Sequence, residues 1–186
     1  KLFMIDCGEG AQLQFRKSHL QFSRLNHIFI SHLHGDHCFG LLGLISTLNL
    51  LGRTAELHIH SPKGLETLLT PMLDFFNRQM TYKVLFHEFD TKEPMLIYED
   101  RSLTVTTIPL RHRMPCCGFL FAEKRCPNHI IREMVDFYQV PVYELNRIKN
   151  GADYVTSEGK TVSNNLLTRP SAPSRSYAYC SDTIYL

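Results

Sequence analysis

No stretch of these 186 residues stays apolar for the roughly 18 positions that a membrane-spanning helix needs, and no secretory leader pattern opens the chain. The six cysteines, Cys7, Cys38, Cys116, Cys117, Cys126 and Cys180, contain no C-x-x-C pair, and the adjacent Cys116 and Cys117 are poorly arranged to ligate one metal. A reduced, cytoplasmic setting with free, mostly buried thiols is expected, because a chain this long can bury a core that needs no disulfide staples. A large excess of one charge is missing too. A net charge of +2 permits an anionic partner without arguing for one, since nucleic-acid binders usually carry far more Lys and Arg. Internal repeats and low-complexity segments are absent. What is present, 44% hydrophobic and 11% aromatic residues, is enough for one substantial core. The apolar runs Leu2-Phe3-Met4-Ile5 and Ile184-Tyr185-Leu186 at the two ends have no flanking turn, as expected of an internal piece of a longer sequence.

Leu2–Ile5 reads as a short buried strand, closed by Asp6-Cys7-Gly8-Glu9-Gly10, whose glycines allow positive φ and close backbone approach. Residues 11–20 fit a helix and 25–31 a strand. Residues 38–51, apolar all round, describe a buried helix in which Gly40 and Gly43 permit close packing. A strand over 56–60 precedes the turn Ser61-Pro62-Lys63-Gly64, where Lys63 reads as solvated, and an amphipathic helix over 65–76 interrupted by Pro71. Further strands are expected over 83–89, 95–98, 103–109 and 118–122. Alternating strands and helices followed by a run of strands indicate an α/β or mixed α+β sandwich. Residues 126–175 differ in character, with helical patterns over 128–138 and 142–149, a hairpin around Glu158-Gly159, and a Pro-, Ser- and Arg-rich stretch over 168–176. They read as an insertion, giving a core over 1–125, an inserted arm over 126–175 and a return to the core over 176–186.

The chemistry concentrates in His32-x-His34-x-Asp36-His37, directly after a strand. Three imidazoles and a carboxylate within six positions suit zinc or a similar divalent metal, and the pairing of His32 with His34 and Asp36 with His37 points to two metals. A polar loop with fortuitous histidines is the bland alternative, and chance rarely sets four such ligands so close. These residues complete neither metal. His112, in a turn with Pro115 after the strand over 103–109, and Asp182, after strand-like 177–180, stand at strand ends that suit ligands. Asp6 either orients a ligand imidazole or serves its turn. His58 and His60 share one strand face and could form a metal pair, but no carboxylate or Cys accompanies them, so a polar sheet face or edge is the reading adopted. His19, His27, His87 and His129 read as surface or capping residues.

Asp6-Cys7-Gly8-Glu9-Gly10-Ala11-Gln12, Phe29-Ile30-Ser31-His32-Leu33-His34-Gly35-Asp36-His37, His112-x-x-Pro115-Cys116-x-Gly118-Phe119 and Ser181-Asp182-Thr183 resemble, in that order, the motifs of the ribonuclease Z family of the metallo-β-lactamase superfamily. Ala11 departs from the family's usual Thr. The resemblance implies an αββα fold, incomplete at both ends here, with a protruding arm. It also implies a zinc-dependent endoribonuclease that removes 3′ trailers from precursor tRNA. On that footing His32, His34 and His112 hold one zinc, Asp36 and His37 belong to a second, and Asp182 bridges both. Asp36 is the general base, and the complete subunit carries two Zn2+. A cytoplasmic homodimer without membrane attachment is implied as well. The family's further ligand His and catalytic His, downstream of the bridging Asp, are not in this sequence. Other hydrolases of the superfamily (phosphodiesterase, arylsulfatase or lactamase) and a non-catalytic metal-binding relative share the central motif. The D-C-G-E-G form and the insertion favour tRNA. The insertion falls where the family carries its tRNA-binding arm, making Lys124, Arg125, Arg132, Arg147 and Lys149 candidate phosphate contacts, with Lys160, Arg169 and Arg175 behind them. Interleaved Glu123, Glu133, Asp136, Glu144, Asp153 and Glu158 soften the charge argument, and Val140-Pro141-Val142-Tyr143 replaces the family's Gly-Pro-rich tip.

Overall fold

A computed structural model describes residues 1–76 and 79–184, so Tyr185 and Leu186 of the terminal apolar run lie outside the described residues. The first half is a repeating strand–helix unit: β1 (Leu2–Ile5), α1 (Ala11–Lys17), β2 (Leu25–Phe29), α2 (Gly35–Cys38), α3 (Gly40–Leu50), β3 (Leu57–Pro62), α4 (Leu65–Phe76) and β4 (Val84–Phe89). The four strands form a parallel sheet in sequential order β1-β2-β3-β4. Right-handed crossovers in that order carry every connecting helix to the same face, and α1 packs on α3, and α3 on α4. Strand periodicity then divides the side chains. Ile28, Ile30, Leu57 and Ile59 join Leu41, Leu44, Ile45, Leu48, Leu65 and Leu69 in the sheet–helix core. Each fully buried Leu or Ile stabilises the fold by about 1.5–3 kcal/mol.

α4 runs through Pro71 instead of breaking there. The ring offers no N–H to the Thr67 carbonyl, but buried Leu65, Leu69 and Leu73 anchor the helix on both sides of it. α1 stops at Lys17, short of the expected residue 20, and the chain tightens into a 3-10 turn at Phe22–Arg24.

Beyond β4 come β5 (Leu96–Glu99), β6 (Leu103–Leu110) and β7 (Cys116–Glu123). The chain then forms β8 (His129–Ile130), α5 (Arg132–Phe137), α6 (Leu145–Lys149), the hairpin β9 (Tyr154–Val155) and β10 (Thr161–Val162), α7 (Asn164–Leu167) and β11 (Thr168–Arg169), before β12 (Ser176–Tyr179). β12-β7-β6-β5 is the order of a second four-stranded sheet. Its Phe119, Phe121 and Tyr98 meet Phe29 of the parallel sheet at ring separations of 5.6, 5.3 and 6.3 Å, so two sheets share an aromatic interior beneath the helical layer. This is the mixed α/β sandwich expected above.

The chain divides into two compact units, one of residues 1–99, 104–121 and 177–186, the other of 100–103 and 122–176. The second has its own small core of Val135, Val140, Ile148, Tyr154, Val162 and Leu167. Buried Asn164 ties its segments together, donating to the carbonyls of Ile148 (2.7 Å) and Ala152 (2.8 Å) while Thr168 Oγ1 donates to its Oδ1 (2.8 Å). The single helix expected over 128–138 is a strand followed by a helix, because residues 129–130 pair with 168–169.

Candidate metal centre

The His-rich motif begins where β2 stops. Ile30 still donates to the His60 carbonyl (2.8 Å), and the chain then turns through a single helical turn, α2. The loop after β1 lies directly against this turn: Cys7 N–H donates to His37 O (2.7 Å) and Gly40 N–H to Cys7 O (2.8 Å). A Cβ on Gly8 would collide with the Asp36 carbonyl oxygen, and one on Gly40 with the Gly8 carbonyl oxygen. The glycines of the two motifs are thus one close contact between backbones.

Two groups of donor atoms converge, one of His32, His34, His112 and Asp182, the other of Asp36, His37 and Asp182; within each, the atoms lie within 4.8 Å of one another. His112 follows β6 and Asp182 follows β12. Those two segments are joined by Ile184 N–H donating to Arg111 O (3.0 Å). Asp182, with φ +34°, places Oδ2 3.5 Å from His32 Nε2, 3.5 Å from His37 Nε2 and 3.9 Å from His112 Nε2. His34 Nδ1 faces His32 Nε2 at 3.0 Å and His112 Nε2 at 3.2 Å.

Hydrogen bonding on the far side of the rings fixes which nitrogens face the centre. Ser31 Oγ–H donates to Asp6 Oδ2 (2.9 Å), so at 3.0 Å it accepts from His32 Nδ1–H, leaving a lone pair on His32 Nε2. His37 Nδ1–H donates to Asp6 Oδ2 (2.9 Å), leaving its Nε2 lone pair towards Asp36 and Asp182. One carboxylate therefore orients both imidazoles, one directly and one through a serine. Asp6 adopts φ +56°, a left-handed conformation that Asp tolerates better than most residues.

Burial, then the neighbouring His37 and His34, lowers the His32 pKa, which favours the neutral ligand form. For His37 burial acts in the same direction, but the hydrogen bond to Asp6 and the charges of Asp6, Asp36 and Asp182 outweigh it and raise the pKa. Burial is the largest single influence on Asp182 and opposes its ionisation, but the hydrogen bond from Ser181 and the imidazoles of His37, His32 and His112 together outweigh it and hold the carboxyl below the usual range.

The donor set fits a divalent metal. His34 Nδ1 can share a proton with only one of the two imidazole nitrogens facing it, whereas a cation among the three satisfies all of them. Imidazole and carboxylate together suit a borderline ion such as zinc.

Elsewhere the histidines depart from expectation. His27 and His87, read as surface or capping residues, pack with His58 and His60 across β2, β3 and β4, because the parallel register sets His27 beside His58 and His60 beside His87. His27 Nδ1 and His60 Nε2 lie 3.2 Å apart, His58 Nδ1 and His87 Nε2 2.9 Å. His60 stacks on Phe29 and is 3% exposed, so it belongs to the inter-sheet core rather than a polar edge. These nitrogens pair off instead of converging. Sequence reasoning also passed over Ser31 and Tyr179, which both donate to Asp6. Ser31 adjoins the motif, but only the structure brings Tyr179 to residue 6.

The candidate phosphate contacts all lie in the second unit. Lys124 and Arg125 follow directly after β7, Arg132 opens α5, and Arg147 and Lys149 lie on α6. Arg132 and Arg147 face Asp136 (3.4 Å) and Glu144 (3.3 Å). The Arg132–Asp136 pair is exposed and weak enough to exchange for phosphate, whereas Glu144 is largely covered. Phe137, Val142 and Tyr143 are strongly exposed in the same unit.

Residues 2–128 match the family profile of the β-lactamase superfamily domain. A ribonuclease Z of Bacteroides fragilis is 78% identical over 185 residues, covering 100% of this chain and 61% of that protein. One from Bacteroides thetaiotaomicron is also 78% identical, covering 100% and 58%. The crystal structure of human tRNase Z, short form, superposes with a TM-score of 0.60 at 32% identity, covering 65% of this chain and 54% of that one. The chain thus spans about three fifths of the length of the curated relatives it matches.

Proposed function

Because the chain belongs to the metallo-β-lactamase superfamily, and within it to the ribonuclease Z family, we propose that its whole protein is a zinc-dependent endoribonuclease that removes 3′ trailers from precursor tRNA. The observation that carries the reading is the convergence of six side chains into two donor groups that share Asp182. His32, His34 and His112 would hold one ion, Asp36 and His37 a second, with Asp182 common to both.

Two bound zinc ions supply a nucleophilic water at neutral pH and polarise the scissile phosphodiester. The protein groups do the rest. Asp36 is 77% exposed with its carboxylate 3.4 Å from His37 Nε2, so it can take or steer a proton from the attacking water at the open side of the centre. Asp6 and Ser31 hold His37 and His32 in the tautomers that present lone pairs inward. Arg111 and Arg113 line the cleft beside His34, His112 and Asp182, where cations attract a phosphate backbone.

The second unit is the tRNA-gripping arm in this reading. Arg132, Arg147 and Lys149 supply phosphate contacts, while exposed Phe137 and Tyr143 offer faces on which bases or sugars can rest. In this reading the working protein is also a cytoplasmic homodimer, as the family resemblance implies. Among the described residues no helix is long and apolar enough to cross a membrane. Incubating the full-length protein with a precursor tRNA, with and without chelator and zinc, tests the proposal. Metal-dependent release of a mature 3′ end is expected. Hydrolysis of small phosphodiesters without tRNA cleavage would favour another hydrolase of the superfamily.

A further inference from the structure

Asp6 receives four hydrogen bonds. Ser31 N–H donates to Oδ1 (2.8 Å), while Ser31 Oγ (2.9 Å), His37 Nδ1 (2.9 Å) and Tyr179 Oη (3.1 Å) all donate to Oδ2. Three of them come from the motif after β2. The fourth arrives from β12, three residues before Asp182. We infer that Tyr179 is a positioning residue of the metal centre, whose hydroxyl registers the strand carrying the shared ligand Asp182 against the carboxylate that orients His37 and, through Ser31, His32.

The geometry gives this hydroxyl a role the other donors cannot fill. Ser31 and His37 move with the motif loop, so their bonds to Asp6 fix the loop around β1 but say nothing about β12. The backbone alongside Tyr179 packs close to β7, where a Cβ on Gly118 would collide with the Tyr179 carbonyl oxygen. The phenol is thereby directed from a fixed strand. Its O–H, half-buried with the rest of the side chain, would need another acceptor if Asp6 were absent. Removing the hydroxyl leaves Asp6 held by three donors that all come from the motif after β2, so its carboxylate is free to shift relative to β12. Partners behind metal ligands commonly change affinity by about 10–100-fold. Loss of one bond in four places Tyr179→Phe near the lower end, at about tenfold.

The inference rests on the metal-centre reading above, and the experiment separates the two. Full-length wild type, Tyr179→Phe, Asp6→Asn and the double variant are stripped of metal and titrated with Co2+, using its visible absorption and competition with a chelator. Circular dichroism and thermal unfolding of the metal-free forms accompany the titration. Tyr179→Phe is expected to weaken Co2+ binding about tenfold and alter the visible spectrum, with metal-free stability preserved. On the Asp6→Asn background the same change is expected to add less than about twofold, because the acceptor's role is already lost. An affinity and spectrum equal to wild type would overturn the inference. So would an undiminished loss on the Asp6→Asn background, or a fall in metal-free stability that accounts for the whole effect. A wild type that takes up no Co2+ or Zn2+ would overturn the metal-centre reading itself, and this inference with it.

Discussion

Asp36 Oδ2 stands 3.4 Å from His37 Nε2, yet the two side chains differ sharply in setting, at 77% and 12% exposed. The histidine is held from behind by Asp6, whereas the aspartate projects to the open side where substrate must arrive. Asp36→Ala should therefore remove a ligand and the proposed base without damaging the core. Phosphodiester cleavage is expected to fall by about 10^2–10^4-fold, with the far-ultraviolet circular dichroism unchanged. His58→Ala, half-exposed in the other histidine cluster, should leave cleavage within about twofold, because it belongs to neither donor group. Equal losses in the two variants would put the site in the wrong place.

Asp182 faces the ring nitrogens of His32, His37 and His112 from one oxygen, which makes it the joint between the two donor groups. Asp182→Ala should leave three imidazoles for one ion and strand the Asp36–His37 pair with too few ligands. Metal analysis of the full-length variant is expected to give about one zinc per chain, against about two in the wild type. Two ions retained in the variant would contradict a bridging role.

The buried histidine cluster sets a pH dependence separate from catalysis. Burial, then the nearby His87, His27 and His58, push the His60 pKa down to about 3; burial, then His58, His87 and Lys1, push that of His27 down to about 4. Both lie below the unfolded value of about 6.5, so the unfolded chain binds protons that the folded chain refuses. Stability is then full above about pH 6.5 and is lost as pH falls from there towards the folded pKa values. For His60 the slope approaches ~1.4 kcal/mol per pH unit within that window. Urea unfolding of the metal-stripped full-length protein at pH 7.5, 6 and 5 measures it. His60→Phe, which keeps a ring on Phe29, should flatten the dependence, and an identical slope in the variant would assign it to other groups.

How much of this was legible in the sequence depended on whether the cause was local. The four candidate ligands of the His-x-His-x-Asp-His motif share one tight loop, so spacing alone singled them out. His112 and Asp182 were readable as strand ends, and the family likeness gave them roles. Short apolar runs placed the four strands of the first sheet to within two residues at each end. The histidine cluster was hidden because it is a product of register: nothing in the local sequence of β2 or β4 says that His27 will lie beside His58, or His87 beside His60. Tyr179 was hidden for the same reason, since 173 positions separate it from Asp6. Residues 129–130 were misread as helix because their pairing with 168–169 overrides local propensity.

The division into two units gives the sharpest test of how substrate is held. Residues 122–176 have a hydrophobic core of their own, and none of the six donor residues belongs to that unit. At its base Glu123 N–H donates to Arg175 O (2.9 Å), and the Arg175 guanidinium meets the Glu123 carboxylate (3.1 Å). The chain leaves and returns at adjacent points, so a short Gly/Ser linker can replace 126–173 with little strain on β7 or β12. If the segment is a tRNA-gripping exosite, the linker variant of the full-length protein should retain its zinc. Hydrolysis of a small phosphodiester, which needs only the metal centre, should stay within a few fold. Precursor tRNA cleavage should fall by about two orders of magnitude or more, because remote contacts position the scissile phosphate. In the intact protein, tRNA affinity should drop steeply between 50 and 200 mM salt if Arg132, Arg147 and Lys149 meet phosphates, and more shallowly once all three are changed to Gln. Parallel losses on both substrates would mean that the segment supports the core. Undiminished tRNA cleavage would place recognition outside it.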